Sequence, residues 1–434
     1  MMKKTVSWLL LGSSVGLVAA GCGSQAPTAS QAVSKGPVTI SFMEAMSSGA
    51  LSGSMQHLVK AFESSHKNIT VNLIVKPSYG DLRAETEAAV TAGDPPTIAQ
   101  AYESWAATYA KSDAIVPLGS YIDGSNGISS TLKASIWPGV WKDLYLPDGK
   151  VWMWPFNKSD FVMYYNQTWL NKDHLSVPST WTQFAATAKK VTSASAGTWA
   201  FSMDPGTSSD PGNGTYLYIS LIRAYGGHIM KHGQPNFDSP QAQAALSYLQ
   251  GLYQQGAIKL GTSYPGQTAL GAQRGLFDLS TIASYYYDQE ADAGKFSLQV
   301  APLPKGPAGP GNVLQGTNIV MFSHATTAQK NAAWTFMKWL TAPAQTAYWA
   351  VHTGYLPVEQ SAISLMGSYY ASHPYQKIAA TSLAYARPLP AVPGFTEATG
   401  ALSNAMEEVM VGHESVKTAL KQAQQTALSV LSGN

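Results

Sequence analysis

The sequence predicts an α/β protein of two interleaved domains with a ligand cleft at their junction. Three observations carry this. Strand-like and helix-like patterns alternate along the chain, about 400 residues follow residue 36, and an apolar stretch near the middle is broken by a proline and a polar run. Alternating strands and helices argue for a parallel, doubly wound sheet covered by helices. A chain of this length exceeds one core, because single cores stop growing beyond about 250–300 residues.

The interrupted stretch spans residues 151–166. It reads as two strands, 151–154 and 161–165, joined by Pro155, Phe156, Asn157, Lys158, Ser159 and Asp160. Proline cannot donate to a sheet ladder and the polar run is not core-like, so the chain is expected to leave one sheet there and enter another. Pockets favour such junctions, with apolar walls and a few directed polar groups.

Before the crossing, residues 38–43 (VTISFM) alternate as a strand and residues 54–63 carry a helical stripe of Met55, Leu58, Val59 and Phe62. Residues 70–75 repeat the strand pattern and residues 82–92 the helix pattern, which Gly93-Asp94-Pro95-Pro96 ends. A short strand at 97–101 then leads into a helix at 104–110. In doubly wound sheets ligands sit at the carboxyl ends of strands, so Tyr102 and Glu103 stand on the rim.

After the crossing, helices are expected at 181–191, 216–225 and 240–255, with strands at 199–202 and 275–282 and a helix at 283–291. Residues 203–214 (MDPGTSSDPGNG) form a loop containing Asp204 and Asp210. The Gly/Pro-rich segment 305–316 precedes a strand at 317–322 and helices at 328–340 and 342–351, a return to the first domain. A terminal helix at 414–431 packs outside. Domain limits follow: residues 37–157 with 316–356 make the N-terminal lobe, and 158–315 with 357–434 the C-terminal lobe, joined by three hinge crossings.

At the N-terminus, Lys3 and Lys4, an apolar run over 6–18 and Ala19-Ala20-Gly21-Cys22 have the layout of a secretory leader, with a run too short to span a membrane. Cys22 is the only cysteine, which excludes an intramolecular disulfide. Residues 22–36 are small and polar, a tether spanning roughly 20 Å. Removing residues 1–21 takes two lysines and no acid from 27 basic and 25 acidic residues, leaving 25 against 25. Such neutrality gives no case for nucleic acid. Charged residues make up only 12% of the chain. With few carboxylates to protonate and little self-repulsion, tolerance of an acidic exterior is expected.

Ala-Ala-Gly-Cys resembles the bacterial lipobox, which implies cleavage before Cys22, lipid on its thiol and anchoring of an extracytoplasmic protein to the cell membrane by acyl chains. Gly93-Asp-Pro-Pro-Thr-Ile-Ala-Gln-Ala-Tyr-Glu103, Trp154-Pro-Phe-Asn-Lys-Ser-Asp160 with Tyr164-Tyr-Asn166, and Thr353-Gly-Tyr-Leu-Pro357 carry a wider likeness. In their order and spacing the chain resembles the solute-binding proteins of bacterial ABC carbohydrate importers, and among them the glycerol-3-phosphate-binding branch. The resemblance implies the periplasmic-binding-protein-like fold, a monomer closing about a hinge, a membrane permease as partner, and no cofactor or metal. ATP would be handled by separate subunits, and the chain has no phosphate-cradling Gly-x-x-x-x-Gly-Lys-Ser/Thr motif.

The same resemblance implies ligand contacts at Tyr79, Glu103, Ser159, Gly316 and Tyr355, and at Ser280, Thr281 or Ser284. The branch's phosphate-binding arginine has no counterpart in residues 395–400 (FTEATG), and Arg387 lies nearby in another context. Without a bidentate guanidinium, a neutral sugar or polyol is the expected ligand, ahead of a glycerol phosphate. Residue chemistry adds Trp154, Asp160 and Thr317. Carboxylates accept from sugar hydroxyls, Ser and Thr do either, and Tyr79, Trp154 and Tyr355 offer faces for C–H surfaces.

A glycoside hydrolase is the rival from another class, with Glu103 and Asp160 or Asp204 as its two carboxyls. The one Gly-x-Ser-x-Gly match, residues 12–16, falls in the leader. His228 and His232 have helical spacing, but Gly226 and Gly227 precede them and no third metal ligand stands near.

Overall fold

The computed structural model describes residues 36–208 and 211–433. The leader, Cys22, residues 22–35 of the tether and Asp210 lie outside the described residues. Among the described residues eleven strands are formed: β1 (Val38–Glu44), β2 (Ile69–Val75), β3 (Ile98–Ala101), β4 (Trp154–Asn166), β5 (Trp199–Met203), β6 (Met230–Lys231), β7 (Gln234–Pro235), β8 (Ile258–Leu260), β9 (Gly275–Thr281), β10 (Leu298–Pro302) and β11 (Leu314–Met321).

Nine of them join in one sheet, eight along the path β2-β1-β3-β11-β4-β9-β5-β8 and β10 beside β4, while β6 and β7 form a separate hairpin. The outer strands of each half are parallel, β1 with β2 and β3, and β5 with β8 and β9. The middle is antiparallel: β11 opposes both β3 and β4, and β4 opposes β9 and β10. The all-parallel sheet expected from the alternation is therefore a mixed sheet. Strands that carry the chain between halves, and those reached on its return, run against their neighbours.

The crossing corrects a second expectation. Residues 154–166 form one continuous strand whose thirteen residues are all buried, including Asn157, Lys158, Ser159 and Asp160. Its first half pairs with β11 and its second half with β9 and β10, so it does pass from one set of strands to the other. Asn157 and Lys158 are tolerated inside because residues from other parts of the chain satisfy them. Lys158 Nζ donates to Asp143 Oδ2 at 2.6 Å and to the Gly316 carbonyl at 3.2 Å. Asn157 Oδ1 accepts from Thr317 Oγ1 at 2.6 Å.

Gly316 has φ +94°, and a Cβ there would meet the Asn157 carbonyl oxygen at 1.7 Å. This is the register shift where β11 slips against β4. Only glycine fits such a left-handed position at close approach.

Two large cores flank the crossing, one under β1–β3 and one under β5 and β9. Helix α1 (Gly49–Ser65) buries Met55, Leu58, Val59 and Phe62, as its spacing predicts. Helix α2 (Tyr79–Ala92) is capped by the Ser78 side chain on Asp81 N–H and closed by Gly93 at φ +76°. Helix α3 (Glu103–Lys111) starts where β3 ends, with Glu103 in its first turn. Helix Phe395–Met410, passed over by the sequence reading, is buried along most of its length and packs beside the C-terminal helix Val416–Gly433.

Candidate ligand-binding site

A cavity of about 700 Å³ lies between the two halves. That volume falls within the range of small-molecule sites, about 300–1,000 Å³. One wall comes from α2 and α3, through Tyr79, Arg83, Glu87, Glu103 and Trp105; the other from the end of β5, helix Asn213–Ala224, β9 and helix Phe395–Met410, through Asp204, Tyr216, Asp278, Ser280 and Thr396.

The first wall carries a row of rings. Tyr79 and Tyr102 meet edge-on with centroids 5.5 Å apart, and Tyr102 meets Trp105 the same way at 5.0 Å. Behind them, Tyr355 OH lies 3.2 Å from Tyr79 OH, and Asn157 Nδ2 donates to Tyr79 OH at 2.8 Å. Edge-to-face packing fixes the rings without a counter-charge.

Glu103 stands at the end of this row, buried. Burial, then the neighbouring Asp143 charge, hold its carboxyl well above the usual carboxylate range, against the pull of Lys158. This wall thus offers an acid whose carboxyl is raised, beside the Asp143–Lys158 ion pair.

On the opposite wall, Asp278 follows the period-2 register of β9 onto the same face as Ser280. Ser280 Oγ receives Asn213 Nδ2 at 3.3 Å and lies 3.1 Å from Ser284 Oγ. Burial pushes the Asp278 carboxyl up to about 7, against a smaller opposing pull from the Leu279 backbone. Asp204 braces the loop by accepting from Gly206 N–H at 2.8 Å and Ser263 N–H at 3.2 Å.

Of the residues singled out by sequence, Tyr79, Glu103 and Ser280 line the cavity. Tyr355 stands directly behind Tyr79. Gly316 and Thr317 lie beneath the site, where Thr317 Oγ1 also accepts from Gln100 Nε2 at 2.9 Å. Ser159 is buried in β4 opposite Gln315.

Two residues are placed elsewhere. Trp154 is enclosed in the first core against Trp334, with its Nε1 donating to Thr341 Oγ1 at 2.8 Å, so it offers no stacking face to the cavity. Asp160 is enclosed in the sheet, its oxygens without a partner among the described residues, and burial pushes its carboxyl well up. That removes the Glu103–Asp160 pair considered for glycoside hydrolysis. Arg387 is outside the cavity, its carbonyl receiving Arg223 Nη1 at 2.6 Å. Among the described residues no cluster of three or more His, Cys, Asp or Glu assembles to hold a metal, and no helix is long and apolar enough to cross a membrane.

The sequence reading missed Arg83, Trp105, Gln315 and Asp278. Trp105 is buried at the cavity with its Nε1–H unpartnered among the described residues, as is Gln315 Nε2. Arg83 lies 5.7 Å from the Trp105 ring centre, bonds Glu87, and reaches across the cleft to Glu397. Ser104 Oγ to Thr396 Oγ1 at 2.7 Å and Ser48 Oγ to Tyr287 OH at 2.9 Å also join the halves.

The cavity between two α/β halves bridged by a continuous strand is the architecture of a solute-binding protein. Residues 57–377 match the family of bacterial extracellular solute-binding proteins, and the chain belongs to that family. It is 24% identical over 402 residues to the sn-glycerol-3-phosphate-binding periplasmic protein UgpB of Pectobacterium atrosepticum, covering 86% of this chain and 87% of that one. Its fold is similar to that of the cyclic alpha-maltosyl-1,6-maltose binding protein from Arthrobacter globiformis, with TM-score 0.80, 20% identity, and 92% of this chain and 100% of that chain covered. It is equally similar to UgpB from Mycobacterium tuberculosis in complex with glycerophosphocholine, with TM-score 0.80, 20% identity, and 92% and 99% covered.

Proposed function

We propose that this chain is the substrate-binding component of an ABC importer, capturing a sugar or polyol outside the cell and delivering it to a membrane permease. The observation that carries this is the pairing of orphan donors with acceptors around one cavity. Trp105 Nε1 and Gln315 Nε2 lack partners among the described residues, and Glu103, Asp278 and Ser280 face the same space. Ligand hydroxyls donate and accept at once, so they would satisfy both sets. The row from Tyr79 to Trp105 supplies apolar surface for C–H faces.

Charge argues against the phosphorylated alternative. The lining holds Glu87, Glu103, Asp204 and Asp278 against Arg83 alone, and that guanidinium is engaged by Glu87 and Glu397. A phosphate would lack a free bidentate partner.

In this reading residues 37–157 with 316–356 and residues 158–315 with 357–434 act as lobes hinged at β4 and β11, and ligand contacting both favours closure. Cys22 would carry the lipid that holds the protein at the membrane, and no bond in the ligand would be broken.

A thermal-shift panel of neutral mono-, di- and trisaccharides, polyols, glycerol-3-phosphate and glycerophosphodiesters tests this, with each mixture assayed for product. A bound ligand at a hundredfold excess over its Kd stabilises by about 2.7 kcal/mol. Stabilisation by an intact sugar or polyol is expected. A response to phosphorylated glycerol compounds alone, or turnover of any ligand, would overturn the proposal.

A further inference from the structure

Eight non-glycine residues have positive φ among the described residues, and only two of them, Ser263 at +57° and Tyr264 at +61°, are adjacent in sequence. The same two line the cavity, and none of the other six does. A bulky side chain is an outlier in that region of backbone space. Pro265 follows, and the residue before a proline favours extended backbone instead. Tyr264 is also 60% exposed, more than any other large apolar side chain among the described residues.

The surrounding chain holds the strained pair in place. Gly261 N–H donates to the Met203 carbonyl at 3.1 Å, Ser263 N–H to Asp204 Oδ2 at 3.2 Å, and the Tyr264 carbonyl accepts Thr268 N–H at 3.3 Å in helix Pro265–Gly271. That helix packs on β5 and β9, so Tyr264 belongs to the second half. It lies close against β9, where a Cβ on Gly266 would collide with Asp278 Oδ1. Strained backbone persists where the surroundings over-determine it, and such residues cluster at ligand clamps. The first half brings the aromatic row of Tyr79, Tyr102 and Trp105 to the same cavity. Aromatic side chains thus enter from both walls.

We propose that Tyr264 is a specificity-determining residue: its ring presses a pyranose ring of the ligand toward the Tyr79–Tyr102–Trp105 row, so the site selects cyclic sugars over open-chain polyols. The inference rests on the sugar or polyol reading above and names the substrate class within it. A pyranose with equatorial hydroxyls carries its polar groups on the rim and C–H surface on both faces, which aromatic side chains on opposite walls match. Its rim hydroxyls would reach Glu103, Asp278 and Ser280. An open-chain polyol has hydroxyls along a flexible backbone and no pair of flat faces, and ordering it costs rotational freedom that a ring has already lost. The braced loop fixes the backbone beneath the Tyr264 ring before ligand enters, which lowers the ordering cost on the protein side as well.

The test compares pyranoses with the alditols made by reducing them, in calorimetric titrations: glucose with sorbitol, galactose with galactitol, mannose with mannitol, maltose with maltitol and cellobiose with cellobiitol. In at least one pair the sugar is expected to bind about tenfold more tightly, the scale of one aromatic contact. Tyr264→Ala should bring that pair to within about twofold through loss of sugar affinity, while Tyr264→Phe, which keeps the ring, should keep the preference. Tyr264→Gly separates a binding role from a structural one. Glycine suits the left-handed backbone, so the unfolding temperature should be unchanged or higher while sugar affinity falls. A lower unfolding temperature together with the affinity loss would make Tyr264 a structural residue and overturn the inference. Alditols binding as tightly as their sugars, or more tightly, in every pair would overturn the cyclic-sugar class and leave the sugar or polyol reading standing. A sugar preference that survives Tyr264→Ala and Tyr264→Gly would overturn the assignment to Tyr264, and binding by no member would count against both readings.

Discussion

The two walls of the cleft solve one electrostatic problem in opposite ways. On the α3 side, a buried acid is compensated from within: Lys158, fully buried in β4, pairs with Asp143, and Glu103 leans on that pair. On the β9 side, burial raises the carboxyls of Asp278 and Asp288, and neither stands in an ion pair among the described residues. The first wall therefore carries its own counter-charge, and the second does not.

The largest expected effect lies on the compensated side. Lys158→Met leaves Asp143 buried without its cation and should cost about 3–5 kcal/mol in urea denaturation. Asp288→Asn, made on the uncompensated side, keeps shape and breaks no ion pair, and should change stability by less than about 1 kcal/mol at pH 7. Equal losses would erase the contrast between the walls.

Next in size is Gly316→Ala. Its carbonyl seats Lys158, and the added methyl would collide with the Asn157 carbonyl from a left-handed backbone. A loss of about 1–3 kcal/mol is expected, read by thermal unfolding. A neutral result would mean that the lysine seat does not depend on the bulge.

Titration sharpens the comparison further. The Asp278 carboxyl lies near 7 when folded against an ordinary 3.8, and Glu44 is likewise raised by burial from 4.5 to about 7. Between those limits the folded chain binds more protons than the unfolded one, so the stability these groups contribute is present in acid and lost as pH rises through about 7. Each contributes a slope of up to about 1.4 kcal/mol per pH unit. Unfolding temperature should fall from pH 5 to pH 7.5, and Asp278→Asn should flatten the curve. A rise over that window would contradict the protonated state of the second wall. A fall fits the acid tolerance expected from the 12% charged composition.

The smallest effect is expected at the rim. Arg83 and Glu397 join the walls with side chains about a quarter and a third exposed. Arg83→Ala should cost about 0.2–1 kcal/mol, while fluorescence labels on α2 and helix Phe395–Met410 should report a more open ligand-free population.

Much of this was legible in the sequence where one face of an element is buried. The stripes of α1 and the strand alternation of β1 announced themselves through their periods. Glu103 was readable because a strand end meets a helix start there. Trp105, two residues on, shares that rim, and the same signal could have found it. Asp278 was equally within reach: the strand period that turns Ser280 toward the cleft turns Asp278 with it.

Other features were hidden for physical reasons. Asn157 and Lys158 read as polar linker because polar residues are rarely buried, and their burial depends on Asp143, Gly316 and Thr317, which are distant in sequence. Trp154 looked like a stacking platform because nothing local distinguishes an aromatic in a core from one in a cleft. Helix Phe395–Met410 escaped notice because its Gly, Ser, Thr and Ala residues resemble a loop, and it needs Gly400 to pass within contact of Ser208.

The most direct measurement is calorimetric titration of the best ligand from the saccharide and polyol panel into wild type, Glu103→Gln and Asp278→Asn. If one ligand is gripped by both walls, each variant should lose at least about tenfold in affinity while unfolding within a few degrees of wild type. Affinity unchanged in both would contradict the account, because the cavity between α3 and β9 would then not be where the ligand binds.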